Sequence, residues 1–506
     1  MLQTLKNAWT TKEIRSKILF TLLILAIYRI GTVIPVPFVE ANSIANAFSG
    51  TILQYMDILS GGSMGAMTLF ALGVQPYINA SIIIQLLAVV FPSLAELGKN
   101  DKKKMNLITR LVTVGLAVIT AVGYYFLLKN GSALTREALS GDFAWLYGIV
   151  IVVCYTAGAS IVMWLGERIN EKGIGNGISM ILFANIVSAV PTFVYNLVAM
   201  VVETYGFPVE PVVRGIISTV FAIVLVAFLI ALIAFVIFVT GSERRIPIQY
   251  AKKVVGRKMY GGQSTNLPIK LNMTGVMPVI FASSFVSFLP TVFQILVSAK
   301  VISTTDTVNG EAVKNGWGVF MDVIGSNGVL YPIALFVLII GFAYFYTQIT
   351  FDPIEVANNL KKNGGAIPGI RQGRPTADYI RKILNKVTLA GALFLSVIAI
   401  LPTILGPHVF QHIFQYIYEG AISLNELVDE YLSYNQMYGF EIYSYVAAEN
   451  AAQEYITSYA TSMASNLVSV LSFGGTTILI VVGVAIETFR EIEAQLTMRN
   501  YKGFLN

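Results

Sequence analysis

Charge is what this sequence has least of. Only 12% of its 506 residues are charged, whereas 55% are hydrophobic, and the mean hydropathy is +0.70. So little polar surface cannot cover a soluble domain of this length, which leaves a polytopic membrane protein. Cysteine is nearly absent. Cys154, the single one, lies inside an apolar stretch, so disulfides within the chain and cysteine-based metal sites are excluded. The two histidines, His408 and His412, stand one helical turn apart, but no third ligand and no His-Glu-x-x-His pattern accompanies them. No phosphate-cradling glycine loop, nucleophile elbow or paired-carboxylate site occurs, so the sequence points to neither an enzyme nor a cofactor. Ionisable side chains are also missing from the middle of the apolar stretches. The exception is Arg29, near one end of the first stretch and long enough to snorkel to the interface. Ion-driven transporters usually carry a charge at membrane depth, so its absence weighs against that class.

A hydrocarbon core of about 30 Å takes roughly 20 apolar residues in a helix. Stretches of that kind lie at about 18–35, 73–92, 107–128, 145–165, 177–200, 215–240, 274–298, 331–350, 386–406 and 467–486. Basic residues sort to alternate connections: 28 of the 34 Lys and Arg fall in 1–17, 99–110, 168–172, 244–270, 361–386 and the tail. By the positive-inside rule those segments, and both termini, are expected in the cytoplasm. The segment 1–17 is polar and amphipathic without a small-residue processing site, and is expected to stay in the mature protein.

The chain also repeats itself. Gly73-Val-Gln-Pro-Tyr-Ile-Asn-Ala-Ser81 returns 202 positions later as Gly275-Val-Met-Pro-Val-Ile-Phe-Ala-Ser283, identical at six of nine places. The first copy is followed by Lys99, Lys102, Lys103 and Lys104, the second preceded by the basic run from Arg244 to Lys270. The copies therefore run antiparallel, and an inverted repeat places its working site between its halves near mid-membrane. Uncharged polar residues gather on the same helices: Gln75, Asn79 and Gln85, then Ser283, Ser284 and Ser287, with Asn185, Ser188 and Gln348 elsewhere. They could glue the helices by hydrogen bonds or line a path for polar cargo. A small-solute transporter built on the same repeat is the alternative at this point.

Several strings carry a family likeness: Leu59-Ser-Gly-Gly-Ser-Met-Gly, Glu167-Arg-Ile-Asn-Glu-Lys-Gly-Ile-Gly-Asn-Gly-Ile-Ser179, Glu243-Arg-Arg, Gln263-Ser-Thr-Asn-Leu-Pro268, Pro368-Gly-Ile-Arg-Gln-Gly373, Phe473-Gly-Gly-Thr476 and Arg499-Asn-Tyr-Lys-Gly-Phe504. With the pattern of spans, the chain resembles the SecY/Sec61 alpha family, the channel subunits of protein-conducting translocons. The resemblance implies an all-α polytopic membrane protein with ten transmembrane helices in two inverted five-helix halves, 1–200 and 201–506, around a central hourglass pore. It implies a channel that translocates unfolded secretory proteins across the plasma membrane and releases transmembrane segments sideways into the bilayer.

Matched motif by motif, the resemblance places an aliphatic pore ring at Val74, Ile78, Leu182, Ile280 and Ile480. It makes Ser60, Gly61, Gly62, Ser63, Met64, Gly65, Ala66, Met67, Thr68, Leu69 and Phe70 a plug, a short helix folded back against the ring with a glycine hinge. Gln75, Asn79, Gln85, Ser283, Ser284 and Ser287 then belong to a lateral gate between spans two and three and spans seven and eight. The basic loops at 241–273 and 351–386 become docking surfaces for the ribosome or the SecA motor ATPase. Their candidate contacts are Arg244, Arg245, Lys252, Lys253, Arg257, Lys258, Lys361, Lys362, Arg371 and Arg374, with Arg381 and Lys382 nearby. Further implied partners are SecE-like and SecG-like subunits, signal peptides, nascent chains and membrane lipids. The chain departs from the family at about 407–466, where seven acids, nine tyrosines and no Lys or Arg suggest a folded cap or a tolerated surface insertion.

Overall fold

The computed structural model describes residues 2–40, 57, 60–131, 133–140, 143–205, 211–250, 253–255, 258–260, 264–308, 311–324, 330–404 and 475–502. The insertion at 407–466 with both histidines, and the candidate contacts Lys252 and Arg257, lie outside the described residues.

Every apolar stretch contains a helix: α1 (Lys12–Gly31), α2 (Gln75–Val90), α3 (Lys102–Asn130), α4 (Ala144–Lys172), α5 (Gly177–Ser188, continued by Val190–Tyr205), α6 (Pro211–Gly241), α7 (Met277–Ser298), α8 (Leu330–Thr350), α9 (Arg374–Ile404) and α10 (Thr476–Lys502). Among the described residues, seven helices are long and apolar enough to cross a membrane, and eight if α2 is joined to the helix after it. The other two are α1, which opens on the charged run Lys12, Glu13, Arg15 and Lys17, and α10, whose second half carries Glu487, Arg490, Glu491 and Glu493.

The repeat folds alike in both copies. Gly73 (φ +51) and Gly275 (φ +63) take the left-handed conformation that glycine enters without penalty. Val74 (φ −89, ψ −4) and Val276 (φ −91, ψ −6) then cap α2 and α7, each with a proline in the first turn, where its missing N–H costs nothing. After α2 the chain bends by 118° into the helix Pro92–Gly98, because Phe91 precedes Pro92 and is held extended (φ −107, ψ 105).

Polar anchors tie neighbouring helices together. Arg110 of α3 grips Glu167 of α4 with both arms of its fork, Nε to Oε1 and Nη2 to Oε2 at 2.8 Å each. Asn176 caps α5 by accepting from the Ile178 and Ser179 amides. The Gly175 amide donates to Glu491 of α10 at 2.9 Å, and Lys17 of α1 donates to Gln495 at 3.2 Å, so α10 packs where both meet it.

The two long basic connections are not plain loops. Strand β1 (Glu243–Tyr250) pairs antiparallel with β2 (Ser264–Lys270), and its end pairs with β3 (Gly365–Ala366). Ile246 and Ile248 alternate inward on β1 and join Ile269, Leu360, Ile367, Ile380 and Leu384 in a separate buried cluster. The described strands at 243–250 and 264–270 thus form one packed unit with the segment 356–387.

Candidate functional site

All five ring candidates are buried, each 3% exposed or less, and all belong to the one large apolar cluster. They come from α2 and its cap, α5, α7 and α10, so both halves contribute. Val74 and Ile78 are four apart, which puts them on one face of the helix start.

The segment 60–70 packs against this cluster but is not the short helix expected. Positive φ at Gly61 (+71), Gly62 (+81) and Met67 (+54) breaks any continuous helix, and the segment runs as successive turns, bridged at Thr68 to Pro35. It is nonetheless firmly seated. Leu69 N donates to Ile34 O at 2.9 Å and Val36 N to Met67 O at 3.2 Å. The Tyr124 hydroxyl of α3 donates to the Met64 carbonyl. Phe70 stacks on Tyr28 of α1 with ring centroids 5.5 Å apart, and Tyr28 accepts from Asn185 of α5 at 2.9 Å.

Two charges attend the segment. Asp57 accepts from the Gly65 amide at 2.7 Å, and burial pushes its carboxyl above the ordinary range, opposed by the Gly65 and Met64 amides and by Ser60. Arg29 does not reach freely outward as its length suggested. Its Nη1 is buried without a hydrogen-bond partner among the described residues, against Gly61, where a Cβ would stand only 2.8 Å from it. On the sheet-bearing face, burial pulls the Lys270 ammonium below its ordinary range; Arg490 adds to this, while Glu243 and Glu487 oppose it.

The six gate candidates separate into different roles. Ser283 and Ser287 turn their hydroxyls to carbonyls of their own helix, Ile280 O at 3.0 Å and Ser283 O at 2.6 Å; with Ser284 they are buried. Gln75, Asn79 and Ser287 line a cavity of about 130 Å³ between α2, α3, α7 and the segment 60–70. Gln85 alone of the six is seen to bridge: it accepts from the Tyr346 hydroxyl of α8 at 2.8 Å while donating to Ser81 at 2.9 Å. Tyr346, Tyr124 and Asp57 were not signalled by the sequence, since each gains its part only from a partner distant in the chain or from burial.

Of the basic candidates, Arg244, Arg245, Lys361, Lys362, Arg371 and Arg374 are exposed on the sheet unit. Arg245 is paired with Glu243 at 2.7 Å. Arg371 sits in a turn fixed by Thr376, whose hydroxyl donates to its carbonyl at 2.8 Å. Lys253 and Lys258 lie on the two strands of a short hairpin.

Comparison with known proteins settles the lineage. The sequence profile of the SecY family matches residues 68–424. The chain belongs to the SecY family. The curated relatives include the protein translocase subunits SecY of Streptomyces galbus, 36% identical over the whole of both chains, and of Mycobacterium tuberculosis, 37% identical over the whole of both. Among solved structures, a SecY translocation channel from work on how the plug domain stabilises the closed state aligns over 95% of this chain and 92% of its own at TM-score 0.57 and 16% identity. A protein-conducting channel aligns over 78% and 86% at TM-score 0.53 and 18% identity. The fold is thus that of SecY: an all-α polytopic channel with ten helices in two inverted halves of five around a central pore.

Proposed function

We propose that this chain is a passive, gated channel that passes unfolded secretory proteins across the membrane and releases apolar segments sideways into lipid. The observation that carries this reading is the meeting of both repeat helices at one buried apolar cluster, which holds the aliphatic Val74, Ile78, Leu182, Ile280 and Ile480 and against which the segment 60–70 packs, in a member of the SecY family. A narrow ring without charge or hydrogen-bonding groups dewets and excludes ions. Aliphatic side chains also part around any polypeptide without favouring a sequence.

In this reading Val74, Ile78, Leu182, Ile280 and Ile480 are the ring, 60–70 is the plug, and the halves meet near residue 200. The lateral gate is the seam between α2 and α3 on one side and α7 and α8 on the other, with the cavity and the Gln85–Tyr346 bond along it. No nucleotide motif occurs in the sequence, so energy comes from a partner. The exposed arginines and lysines of the sheet unit suit both RNA phosphate and protein carboxylate, and support docking of the ribosome or a SecA motor; a related Sec61 has been solved in a ribosome–channel complex. SecE-like and SecG-like subunits would complete the translocon. The charge pattern supports cytoplasmic termini, and the likeness to bacterial SecY subunits supports the plasma membrane as its site. Ile280→Asn tests the ring: it should weaken the closed state and raise export of reporters with defective signals several-fold. Export no better than the parent's would remove Ile280 from the ring.

A further inference from the structure

We propose that the Tyr124 hydroxyl is the catch that holds the plug, placed so that parting of α3 from α7 releases it. The inference rests on the reading of 60–70 as plug and of the α3–α7 contact as part of the seam. Tyr124 is buried, and its hydroxyl reaches from a spanning helix to the Met64 carbonyl inside the plug. Tyr155 of α4 holds the ring edge-on, with centroids 5.1 Å apart. At the residue before it, Gly123, α7 packs tightly on α3: a Cβ there would overlap the Ile295 side chain. Ser60, Met64, Gly123, Tyr124, Thr291 and Ile295 all border the same cavity. One turn of α3 therefore touches the plug through one residue and the opposite side of the seam through its neighbour.

The coupling follows from the backbone. Residues 123 and 124 cannot move separately, so any displacement of α3 that widens the Gly123–Ile295 contact also draws the hydroxyl from the Met64 carbonyl. While the site is dry, the buried Tyr124 hydroxyl left without its acceptor is costly, although the Met64 carbonyl keeps the Met67 amide at 3.2 Å, and this cost holds the plug in and α3 against α7. Once an apolar segment parts the seam and water enters the cavity, the hydroxyl finds another acceptor and the bond no longer opposes departure. Tyr155 supplies an internal control, because its buried hydroxyl has no partner among the described residues.

The test uses the assembled translocon in membrane vesicles, in a Cys154→Ser background. Ser63→Cys, fully buried in the plug, is exposed to a membrane-impermeant maleimide with and without a stalled secretory chain. In the otherwise unaltered channel, labelling should be slow at rest and fast with the chain engaged. Tyr124→Phe should raise the resting rate about 2- to 12-fold, the range for one lost hydrogen bond, and Tyr155→Phe should not. Gly123→Ala, which wedges α3 from α7, should raise the resting rate when the hydroxyl is present but add little on top of Tyr124→Phe, since the catch is then already open. Equal rises in the two phenylalanine variants, no rise in Tyr124→Phe, or strictly multiplicative effects of Gly123→Ala and Tyr124→Phe would overturn the catch alone. Failure of the engaged chain to speed labelling in the unaltered channel would overturn the plug reading and the catch with it.

Discussion

Where the first repeat carries Gln75, Tyr77 and Asn79, the second carries Met277, Val279 and Phe281. The backbones match through the left-handed glycine and the capping valine, yet the two helices are held differently. Phe281 packs edge-on against Phe342 at 6.1 Å and Tyr346 at 5.2 Å, and Phe285 continues the contact at 6.3 Å from Phe342. These aromatics bind α7 to α8 within its own half. On α2, by contrast, Gln75 and Asn79 face the cavity, and Gln85 reaches α8 through one hydrogen bond. The same turn thus opens a helix fastened to α8 by aromatic contacts in one half and a helix joined to α8 by one hydrogen bond in the other. Opening should follow the joint, with α7 and α8 moving together.

The comparison can be broken or sharpened in order of expected effect. Phe281→Asn gives the second repeat the residue of the first and removes the aromatic anchor; the purified complex should lose about 3 kcal/mol, as truncations of buried aromatics do, seen as a lower unfolding midpoint. An unchanged midpoint would mean that the aromatics do not fasten α7. Tyr346→Phe removes only the hydroxyl at the joint, about 1 kcal/mol, and should raise export of weakly hydrophobic signals by a few-fold while the fold stays intact. Equal export would place the joint elsewhere.

The smallest effect concerns Asp57. Its folded carboxyl titrates above its unfolded value because burial disfavours the charge. The folded state therefore binds the proton more tightly, so seating of the segment 60–70 strengthens as pH falls through that raised value and weakens as pH rises through it. Labelling of Ser63→Cys at rest, normalised to an exposed thiol, should slow on mild acidification. In Asp57→Asn, which keeps the acceptor for the Gly65 amide without the charge, it should be slow and independent of pH. A persistent pH response in that variant would assign the effect to another group.

What the sequence made legible is what hydrophobic length and residue identity decide. All ten helices, the repeated turn and the burial of Val74, Ile78, Leu182, Ile280 and Ile480 fall into that class. The sheet was hidden, because Pro247 and Pro268 disguise its two long strands and β3 pairs with β1 from more than a hundred residues away. The turns at 61–70 were expected as helix, because their apolar, small-residue composition says nothing of the positive φ at Met67. A hydroxyl on a helix can be satisfied one turn back, as those of Ser283 and Ser287 are, which their place in the sequence does not reveal. Tyr124 and Tyr346 gain their roles from partners 60 and 261 positions distant, which no local pattern encodes.

The most direct test of the central claim is crosslinking from a single photoreactive thiol adduct at Val74, Ile78 or Ile280, in a Cys154→Ser channel, to a secretory chain stalled midway. The account predicts that all three positions capture the stalled chain and that lipid-facing controls such as Phe238 do not. Capture at none of the three, with the chain still crossing the membrane, would contradict it.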